Sequence, residues 1–318
     1  MKWAETSVKN NGTALNKRKN RLKALLTEIY KHRVAYFLVA PFAAVFITFT
    51  IIPVLMSIGL SFTYFNMLEA PKFIGFENYR NLFLVDDIFL TSVRNTFVLA
   101  IVTGPIGYMA ALLCAWFINE LPPKIRAFMV LVFYAPSISG SVYLIWGVVF
   151  SGDAYGYLNG FLLDFGLINE PSKWLSDPAY MMSSIIVVVL WMSLGAGFLA
   201  FIAGLQGVDK TMYEAGYVDG IRNRWQELWY ITLPAMRPQL MFGAIMSVTT
   251  SFAIADQTAQ LCGLPSTDYA VHTVVNHLQD YGQQRFEMGY ASAIATILFI
   301  IMILSNKGIQ NLLKKVGR

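Results

Sequence analysis

Long apolar segments separated by shorter polar ones dominate the hydrophobic pattern of this chain. An apolar run of about 20 residues is long enough to cross a bilayer core of about 30 Å. Six runs meet that criterion, at roughly 34–62, 95–118, 127–150, 183–205, 240–260 and 289–305. The pattern predicts an all-α membrane protein with six transmembrane helices in residues 34–318, and Pro53 is expected to kink the first helix.

The residues before the first apolar run are polar and basic. Residues 1–20 lack hydrophobic periodicity and are expected to be disordered. Apolar positions then recur at helical spacing among basic side chains, namely Leu22, Leu25, Leu26, Ile29 and Tyr30. Residues 1–33 are therefore predicted to be a cytoplasmic leader with a basic amphipathic helix on the inner membrane surface.

The longest polar insertion in the C-terminal half separates the fourth and fifth apolar runs, within residues 206–238. In so apolar a chain, this insertion is expected to contact a partner in water. Thr211 and Glu214 have the spacing of a capping box, in which a hydroxyl and a carboxylate satisfy free amides of a helix's first turn. A short helix is predicted to begin there and to end before Gly220, which can adopt positive φ.

A second helix is predicted from Arg222 to Tyr230. Its helical spacing places four residues on one face: Trp225, Leu228, Trp229 and Thr232. Pro234 and Pro238 are expected to end this helix and to begin the next membrane segment.

Composition and charge indicate a membrane protein rather than a soluble globule. The 318 residues are 56% hydrophobic and 14% charged, against roughly 25% charged in soluble domains. With the N-terminus inside, 19 of the 24 Lys and Arg lie on the cytoplasmic side and 5 lie outside. Cytoplasmic loops carry the basic excess, so both termini and the 206–238 loop are predicted to be cytoplasmic. The net charge of +5 follows membrane topology and does not indicate nucleic acid.

The chain lacks the motifs of several chemistries. It has no Gly-x-x-x-x-Gly-Lys-Ser/Thr loop for nucleotide phosphates and no His-Glu-x-x-His pair for zinc. Cys114 and Cys262 have no metal-ligand spacing, and the three histidines have no evident ligand partners. No catalytic residue, metal site or cofactor is predicted on this chain, and any ATP hydrolysis is assigned to another subunit.

Neutral polar and aromatic side chains inside the apolar runs are the candidates for a substrate pathway. Aromatic faces and hydrogen-bonding groups suit a sugar, whose ring is rich in CH groups and hydroxyls. The candidates are Trp191, Asp256, Gln257, Thr249, Phe252 and Tyr134. The alternative for each is helix packing or hydrogen bonding to the backbone, although an acidic residue within a span rarely faces lipid.

The polar insertion resembles the EAA loop of permease subunits in bacterial ABC importers. The resemblance rests on Glu214-Ala215-Gly216, on Asp219-Gly220, and on Leu233-Pro234 near the end of the insertion. Gly216 stands where the family pattern has a second Ala, and Ile221 stands where the sugar-importer branch usually has Ala. Neither change removes the turn.

Other segments are similar to carbohydrate importer permeases of the maltose and multiple-sugar type. They include residues 73–79 (FIGFENY) and 289–293 (GYASA). Residues 263–270 (GLPSTDYA) are most similar to a Gram-positive branch associated with polysaccharide-derived oligosaccharides. The resemblance therefore implies the plasma membrane of a Gram-positive bacterium.

The resemblance implies a type I ABC importer permease fold and a set of partners. These are a second homologous permease, two cytoplasmic ATPases that bind ATP and Mg, an extracellular solute-binding lipoprotein, an oligosaccharide and membrane lipid. The residues expected to couple the permease to an ATPase are Glu214, Ala215, Gly216, Asp219, Gly220, Leu233 and Pro234. Trp225 and Trp229 are expected to pack against the membrane-side body.

Three alternatives stay open at the level of sequence. An ABC permease for another solute, such as a phosphorylated polyol or a peptide, would share the EAA loop, although a phosphate would favour a basic lining. An ion-gradient transporter would carry buried charges or an inverted repeat, and neither is prominent. A membrane scaffold would not need the EAA loop.

Overall fold

The computed structural model describes residue 28 and residues 31–140 and 142–313. The predicted disordered segment and nearly all of the predicted amphipathic helix lie outside these residues. The chain divides into two compact units, one ending at Ser57 and the other beginning at Ile58.

The first unit is helical in its described part. Helix α1 spans Arg33–Phe46, a π-helical segment spans Ile47–Ile51, and α2 spans Ile52–Leu60 across the unit boundary. Pro53 lies immediately after the π segment, at the second residue of α2. Proline donates no amide hydrogen and crowds the carbonyl four residues before it, so a widened turn relieves the helix at this point. The kink expected at Pro53 stays a prediction, and the structure shows this π-helical turn directly before α2.

The second unit begins with two short strands, β1 Thr63–Tyr64 and β2 Lys72–Phe73, which pair antiparallel with Thr63 opposite Phe73. Its helices follow in chain order: α3 Glu77–Leu84, α4 Asp87–Asn119, α5 Pro123–Ile138, α6 Val142–Val149, α7 Tyr157–Asp164, α8 Pro178–Trp191, α9 Ala196–Gly207, α10 Lys210–Val218, α11 Arg224–Glu227, π-helical Leu228–Thr232, α12 Leu233–Ala235, α13 Arg237–Phe252, α14 Asp256–Cys262, 3-10 Thr267–Tyr269, α15 Val274–Gln279, π-helical Asp280–Gln284 and α16 Met288–Leu313.

The predicted membrane spans are present. By length and composition, the described residues contain five helices able to cross a membrane: Arg33–Leu60, Asp87–Asn119, Pro178–Gly207, Arg237–Cys262 and Met288–Asn311. The pair α5 and α6, bent by 85°, gives a sixth when it is counted as one span. These are numbered spans 1 to 6 in chain order, with α5 and α6 as span 3. They confirm the predicted all-α membrane fold.

Spans 2, 4 and 5 pack closely through small residues. A Cβ on Gly107 of span 2 would lie 2.9 Å from the Ser193 Cβ of span 4, and a Cβ on Gly243 of span 5 would overlap the Phe201 ring. The Ser247 hydroxyl donates to the Gly104 carbonyl at 2.8 Å, which joins spans 2 and 5. Small residues allow helix backbones to approach closely in lipid.

The second unit has two ends, named here by their connections. The loop end carries residues 63–86, 150–177 and 263–287, and the EAA end carries residues 119–123 and 208–236. At the loop end, the Asn95 carboxamide of span 2 donates to the carbonyls of Tyr269 and His272. Thr273 and Asn276 form a capping box at the start of α15. The Asn95 bonds fix the 263–287 loop to span 2.

Candidate functional site

Three spans are interrupted part of the way along their length. Span 3 breaks between Ile138 and Val142, span 4 between Trp191 and Ala196, and span 5 between Phe252 and Asp256. Lipid offers no hydrogen bonds to free backbone groups, so non-helical backbone at membrane depth is tolerated where it is buried or lines a cavity. Discontinuous helices of this kind form the substrate sites of many transporters.

A cavity of about 380 Å³ lies beside all three breaks. It receives Tyr134 and Ser137 from span 3, Ser193 and Gly195 from span 4, and residues of span 5 and span 2. The lining contributed by spans 5 and 2 includes Thr250, Ser251, Ile254, Gln257, Thr103, Gly107 and Tyr108. None of the described lining residues is charged. The cavity is therefore polar, neutral and partly aromatic.

The hydroxyl groups of the cavity are held by local bonds. Ser137 donates to the Tyr134 carbonyl at 2.8 Å and Ser193 donates to the Leu190 carbonyl at 2.6 Å. Thr250 likewise donates to the Met246 carbonyl at 3.0 Å. Each hydroxyl has then used its hydrogen and keeps lone pairs that can accept. The cavity wall thus offers fixed acceptors to a ligand rich in hydroxyl donors.

The predicted pathway residues separate into two groups. Tyr134 and Gln257 line the cavity, and the other four do not. Phe252 packs edge-on against Phe97 at 5.6 Å between ring centroids.

The remaining predicted pathway residues have other surroundings. Trp191 packs edge-on against Trp146 at 5.5 Å. The Thr249 hydroxyl donates to the Ile245 carbonyl. Asp256 is exposed and begins α14, directly before Gln257. Among the residues at the span 4 break, the glycines were not predicted to line the pathway. Their close succession in an apolar run, SLGAG at 193–197, is the signal that could have identified them.

The part of the EAA end that joins spans 4 and 5, residues 208–236, is called the EAA segment; it begins with a helix, but the cap of this helix differs from the prediction. Helix α10 spans Lys210–Val218, and the Asp209 side chain accepts from the Thr211 amide. Thr211 thus lies inside the helix, so the predicted Thr211–Glu214 capping box is wrong. Asp209 caps the helix in place of Thr211, because an aspartate immediately before a helix can accept hydrogen bonds from its first free amides. Gly220 has φ of 95°, as the predicted turn requires.

The second helix of the segment is shorter than predicted. Helix α11 spans Arg224–Glu227 with Asn223 as its cap, and Leu228–Thr232 is π-helical. The wider π turn shifts the side chains off the regular helical face. Leu228 and Thr232 are buried, whereas Trp225 and Trp229 are 62% and 65% exposed. The four residues therefore do not share one buried face.

Two contacts tie α10 to the π-helical segment. The hydroxyls of Tyr213 and Thr232 lie 2.9 Å apart. Gly216 is buried, and a Cβ there would lie 2.6 Å from the Ile231 Cδ1. The other predicted coupling residues of this part, Glu214, Ala215, Asp219 and Gly220, are exposed, as are Met212, Tyr217 and Val218. One face of α10 is thus held by the protein and the other is open to solvent or a partner.

A polar cluster lies at the loop end. Asp86 Oδ2 lies 2.9 Å from His277 Nε2 and accepts from the Tyr290 hydroxyl at 2.8 Å. Burial raises the pKa of the Asp86 carboxyl, but hydrogen bonds from His277, the Phe89 amide and Tyr290 outweigh it and lower the pKa to about 2. Because an ionised carboxylate can only accept, His277 donates through Nε2. The cluster joins the start of span 2 to α15 and span 6.

His272 lies beside this cluster. Its ring is 2% exposed, and neither ring nitrogen has a partner among the described residues. It packs edge-on against Tyr269 and His277 at 5.3 and 5.6 Å between ring centroids. Burial lowers the pKa of His272 to about 4, with further lowering by His277. Folding therefore favours the neutral form of the His272 ring over the protonated form.

A bundle of apolar helices, three of them broken around a neutral polar cavity, defines a membrane transport permease. The family model of binding-protein-dependent transport system inner membrane components matches residues 96–316. The chain belongs to this family.

Curated relatives extend this result over most of the chain. "Probable ABC transporter permease protein YesP" of Bacillus subtilis is 30% identical over 84% of this chain and 86% of its own length. The lactose transport system permease protein LacF of Rhizobium radiobacter is 32% identical over 69% and 72%. The arabinooligosaccharides transport system permease protein AraP of Bacillus subtilis is 27% identical over 86% of each.

A solved structure shares the fold. A bacterial ABC transporter for import of the acidic polysaccharide alginate contains a chain that aligns with a TM-score of 0.74 and 21% identity. The alignment covers 92% of this chain and 99% of that chain. Together the comparisons confirm the predicted ABC importer permease and its type I fold, and they decide against the ion-gradient transporter and the scaffold.

Proposed function

We propose that this permease passes a neutral oligosaccharide across the membrane. The observation that carries the proposal is the uncharged cavity beside the three helix breaks, where hydroxyl, carboxamide and aromatic groups meet. Sugars present many hydroxyl donors and apolar ring faces, which such a lining complements. A phosphorylated polyol or an acidic sugar would leave its charge without a partner there, at a high desolvation cost.

The relatives support a sugar as the substrate class. Their names include lactose, arabinooligosaccharides and, for AmyD of Thermoanaerobacterium thermosulfurigenes, starch degradation products. We assign Tyr134 and Gln257 to direct contact with the sugar, because both line the cavity. Trp191, Asp256, Thr249 and Phe252 are kept as candidates for the path toward or beyond it.

The proposed importer contains further subunits. They are a second homologous permease, two ATPases that carry ATP and Mg, and a solute-binding lipoprotein outside the plasma membrane of a Gram-positive bacterium. The basic excess favours both termini and the EAA end in the cytoplasm and the loop end outside. The exposed face of α10, with Ala215, Tyr217 and Val218, is the surface we assign to the ATPase.

The mechanism follows from how α10 is held. Its inner face is fixed to the π-helical segment by the Tyr213–Thr232 and Gly216–Ile231 contacts. A displacement of α10 by a closing ATPase pair would carry spans 4 and 5 with it, since the EAA segment joins them covalently. The breaks of those spans border the cavity, so the switch would change which side of the membrane it faces.

Uptake by the complete complex in proteoliposomes tests the sugar site. The hydroxyls of Thr250 and Thr91 each donate to the carbonyl four residues earlier in their helix, but only Thr250 lines the cavity. We expect Thr250→Val and Gln257→Ala each to raise the apparent KM for a neutral oligosaccharide about fivefold, the effect of losing roughly 1 kcal/mol of hydrogen bonding. Thr91→Val, the control, should leave KM unchanged. An apparent KM that is the same in all three variants and the wild type would contradict the assignment of the cavity as the sugar-binding site.

A further inference from the structure

Span 2 touches the EAA segment through a pair of tryptophans. The ring centroids of Trp116 and Trp225 lie 4.9 Å apart, with an angle of 56° between the ring planes. Trp116 is 9% exposed and belongs to the buried core, whereas Trp225 is 62% exposed and covers it from the side of the EAA segment. Such tilted aromatic pairs contribute more than their buried area alone.

Neighbouring contacts reinforce the pair. Leu228 and Met236 of the EAA segment share one core cluster with Trp116 of span 2 and Phe198 of span 4. An ion pair joins Arg224 to Glu120 at 3.1 Å, and Arg224 also pairs with Glu227 at 2.8 Å. Both acids and Arg224 are partly exposed, and exposed ion pairs contribute little. The apolar contacts therefore carry most of the attachment.

Chain connectivity makes this attachment significant. The EAA segment continues directly from span 4 and into span 5, so both move with it through covalent bonds. Span 2 has no such link, because it is followed by the 120–122 turn and span 3. Any displacement of span 2 by the EAA segment must pass through side-chain contacts.

Span 2 also reaches the cavity and the loop end. Helix α4 has 33 residues, a length of about 50 Å at 1.5 Å per residue. Midway along it, Gly107 lies against Ser193 and Gly104 accepts from Ser247. Near its start, Thr96 accepts from the Val274 amide and Asn95 binds the 263–287 loop.

We propose that the Trp116–Trp225 contact is the point at which the EAA segment positions span 2, so that spans 2, 4 and 5 move together around the cavity. Both tryptophans are positioning residues, since neither lines the cavity. The inference rests on the proposed function, because it requires an ATPase that displaces α10.

The number of sugar molecules imported per ATP hydrolysed, measured with the reconstituted complex and its binding protein, tests the proposal. We expect Trp225→Ala and Trp116→Ala each to lower this ratio about tenfold while the ATPases still co-purify. The double variant should be no worse than either single variant. Trp225→Phe should restore most of the ratio, because it keeps an aromatic ring over Trp116.

Trp229→Ala is the matched control. Trp229 lies four residues from Trp225, is similarly exposed and has no ring partner among the described residues. Glu120→Gln is a second control, since it removes only the exposed ion pair. Both should retain the wild-type ratio. A Trp225→Ala ratio equal to that of Trp229→Ala overturns the tryptophan contact, whereas a wild type without sugar-stimulated hydrolysis overturns the proposed function and this inference with it.

Discussion

The hydroxyl of Tyr213 lies 2.9 Å from the hydroxyl of Thr232, 19 residues further along the chain. Thr232 also donates to the Glu227 carbonyl and is 3% exposed. The bond therefore fixes the exposed helix α10 to a buried part of the EAA segment. A force on α10 reaches the core through this bond and through the adjoining Gly216–Ile231 contact.

Tyr213→Phe is expected to weaken this attachment. Loss of a partly buried hydrogen bond costs about 1 kcal/mol, so we expect a small loss of thermal stability and a lower sugar-stimulated ATPase rate. Tyr230→Phe is the control, because Tyr230 lies in the π-helical part of the same segment, is 68% exposed and is not assigned to the ATPase surface. Identical stimulated rates for the two variants would show that the Tyr213–Thr232 bond does not transmit the movement.

Gly220→Ala is expected to strain the turn after α10. Gly220 has φ of 95°, and a Cβ added there would meet no atom of the described residues within 4 Å, so the penalty is conformational rather than steric. A positive φ costs an L-residue roughly 1–2 kcal/mol. Gly207→Ala serves as the control, since Gly207 ends α9 with an open Cβ position and no positive φ. Thermal unfolding in detergent compares the two, and an equal stability change would contradict the assigned strain.

Gly289→Ala is expected to disturb the junction between span 6 and β1. A Cβ there would overlap the Thr63 carbonyl oxygen and press on the Phe65 amide, and both are backbone atoms that cannot rotate away. We expect a loss of about 2–3 kcal/mol. Gly308→Ala, further along the same helix, has open space at the Cβ position and should be neutral or slightly stabilising. Chemical denaturation monitored by tryptophan fluorescence provides the comparison, and an equally mild Gly289→Ala would contradict the close contact.

The loop end is expected to lose stability on mild acidification. The pKa of His272 is lowered from 6.5 to about 4 in the folded chain by burial. The contribution of the neutral His272 ring to the free energy of unfolding is therefore complete above about pH 6.5. It falls by about 1.4 kcal/mol for each pH unit between about 6.5 and 4. The titratable groups around His272 are His277, Asp280, Arg285 and Asp86; His277 and Arg285 lower the pKa of His272, whereas Asp280 and Asp86 raise it.

Thermal stability across this pH range measures the effect. His272→Phe replaces the ring with an apolar one of similar shape and should flatten the pH dependence between 6.5 and 4. The exposed His32 provides the control through His32→Gln. The account of His272 is contradicted if both variants show the slope of the wild type. The pKa of Asp86 is lowered from 3.8 to about 2, so the stability that Asp86 contributes is lost only as the pH falls from about 3.8 to about 2.

The spans and the EAA segment could be predicted because their signals are local in sequence. A 20-residue apolar run and a Glu, Gly and Leu-Pro spacing are visible without a partner. The turn at Gly220 was predicted for the same reason. The cap at Asp209 was missed because Asp209 and Thr211 are both good caps, and the choice depends on where the chain leaves span 4.

The cavity could be predicted only in part. Hydropathy averaged over a span does not register a break of three or four residues, so the interruptions after Ile138, Trp191 and Phe252 were not predicted. Gln257 and Tyr134 were selected by chemistry, but their common cavity depends on how spans 3 and 5 pack. The Trp116–Trp225 contact and the Asp86–His277 bond join residues 109 and 191 positions apart, and one sequence carries no information about such distant pairs.

Sugar uptake driven by ATP, measured in proteoliposomes that contain the complete complex and its binding protein, tests the central claim most directly. We expect a labelled neutral oligosaccharide to accumulate inside wild-type vesicles when ATP is available on the EAA side. We also expect Gly220→Pro and Glu214→Ala to reduce accumulation while the subunits still assemble. Accumulation of an acidic sugar in place of the neutral one, or normal transport by both variants, would contradict the account.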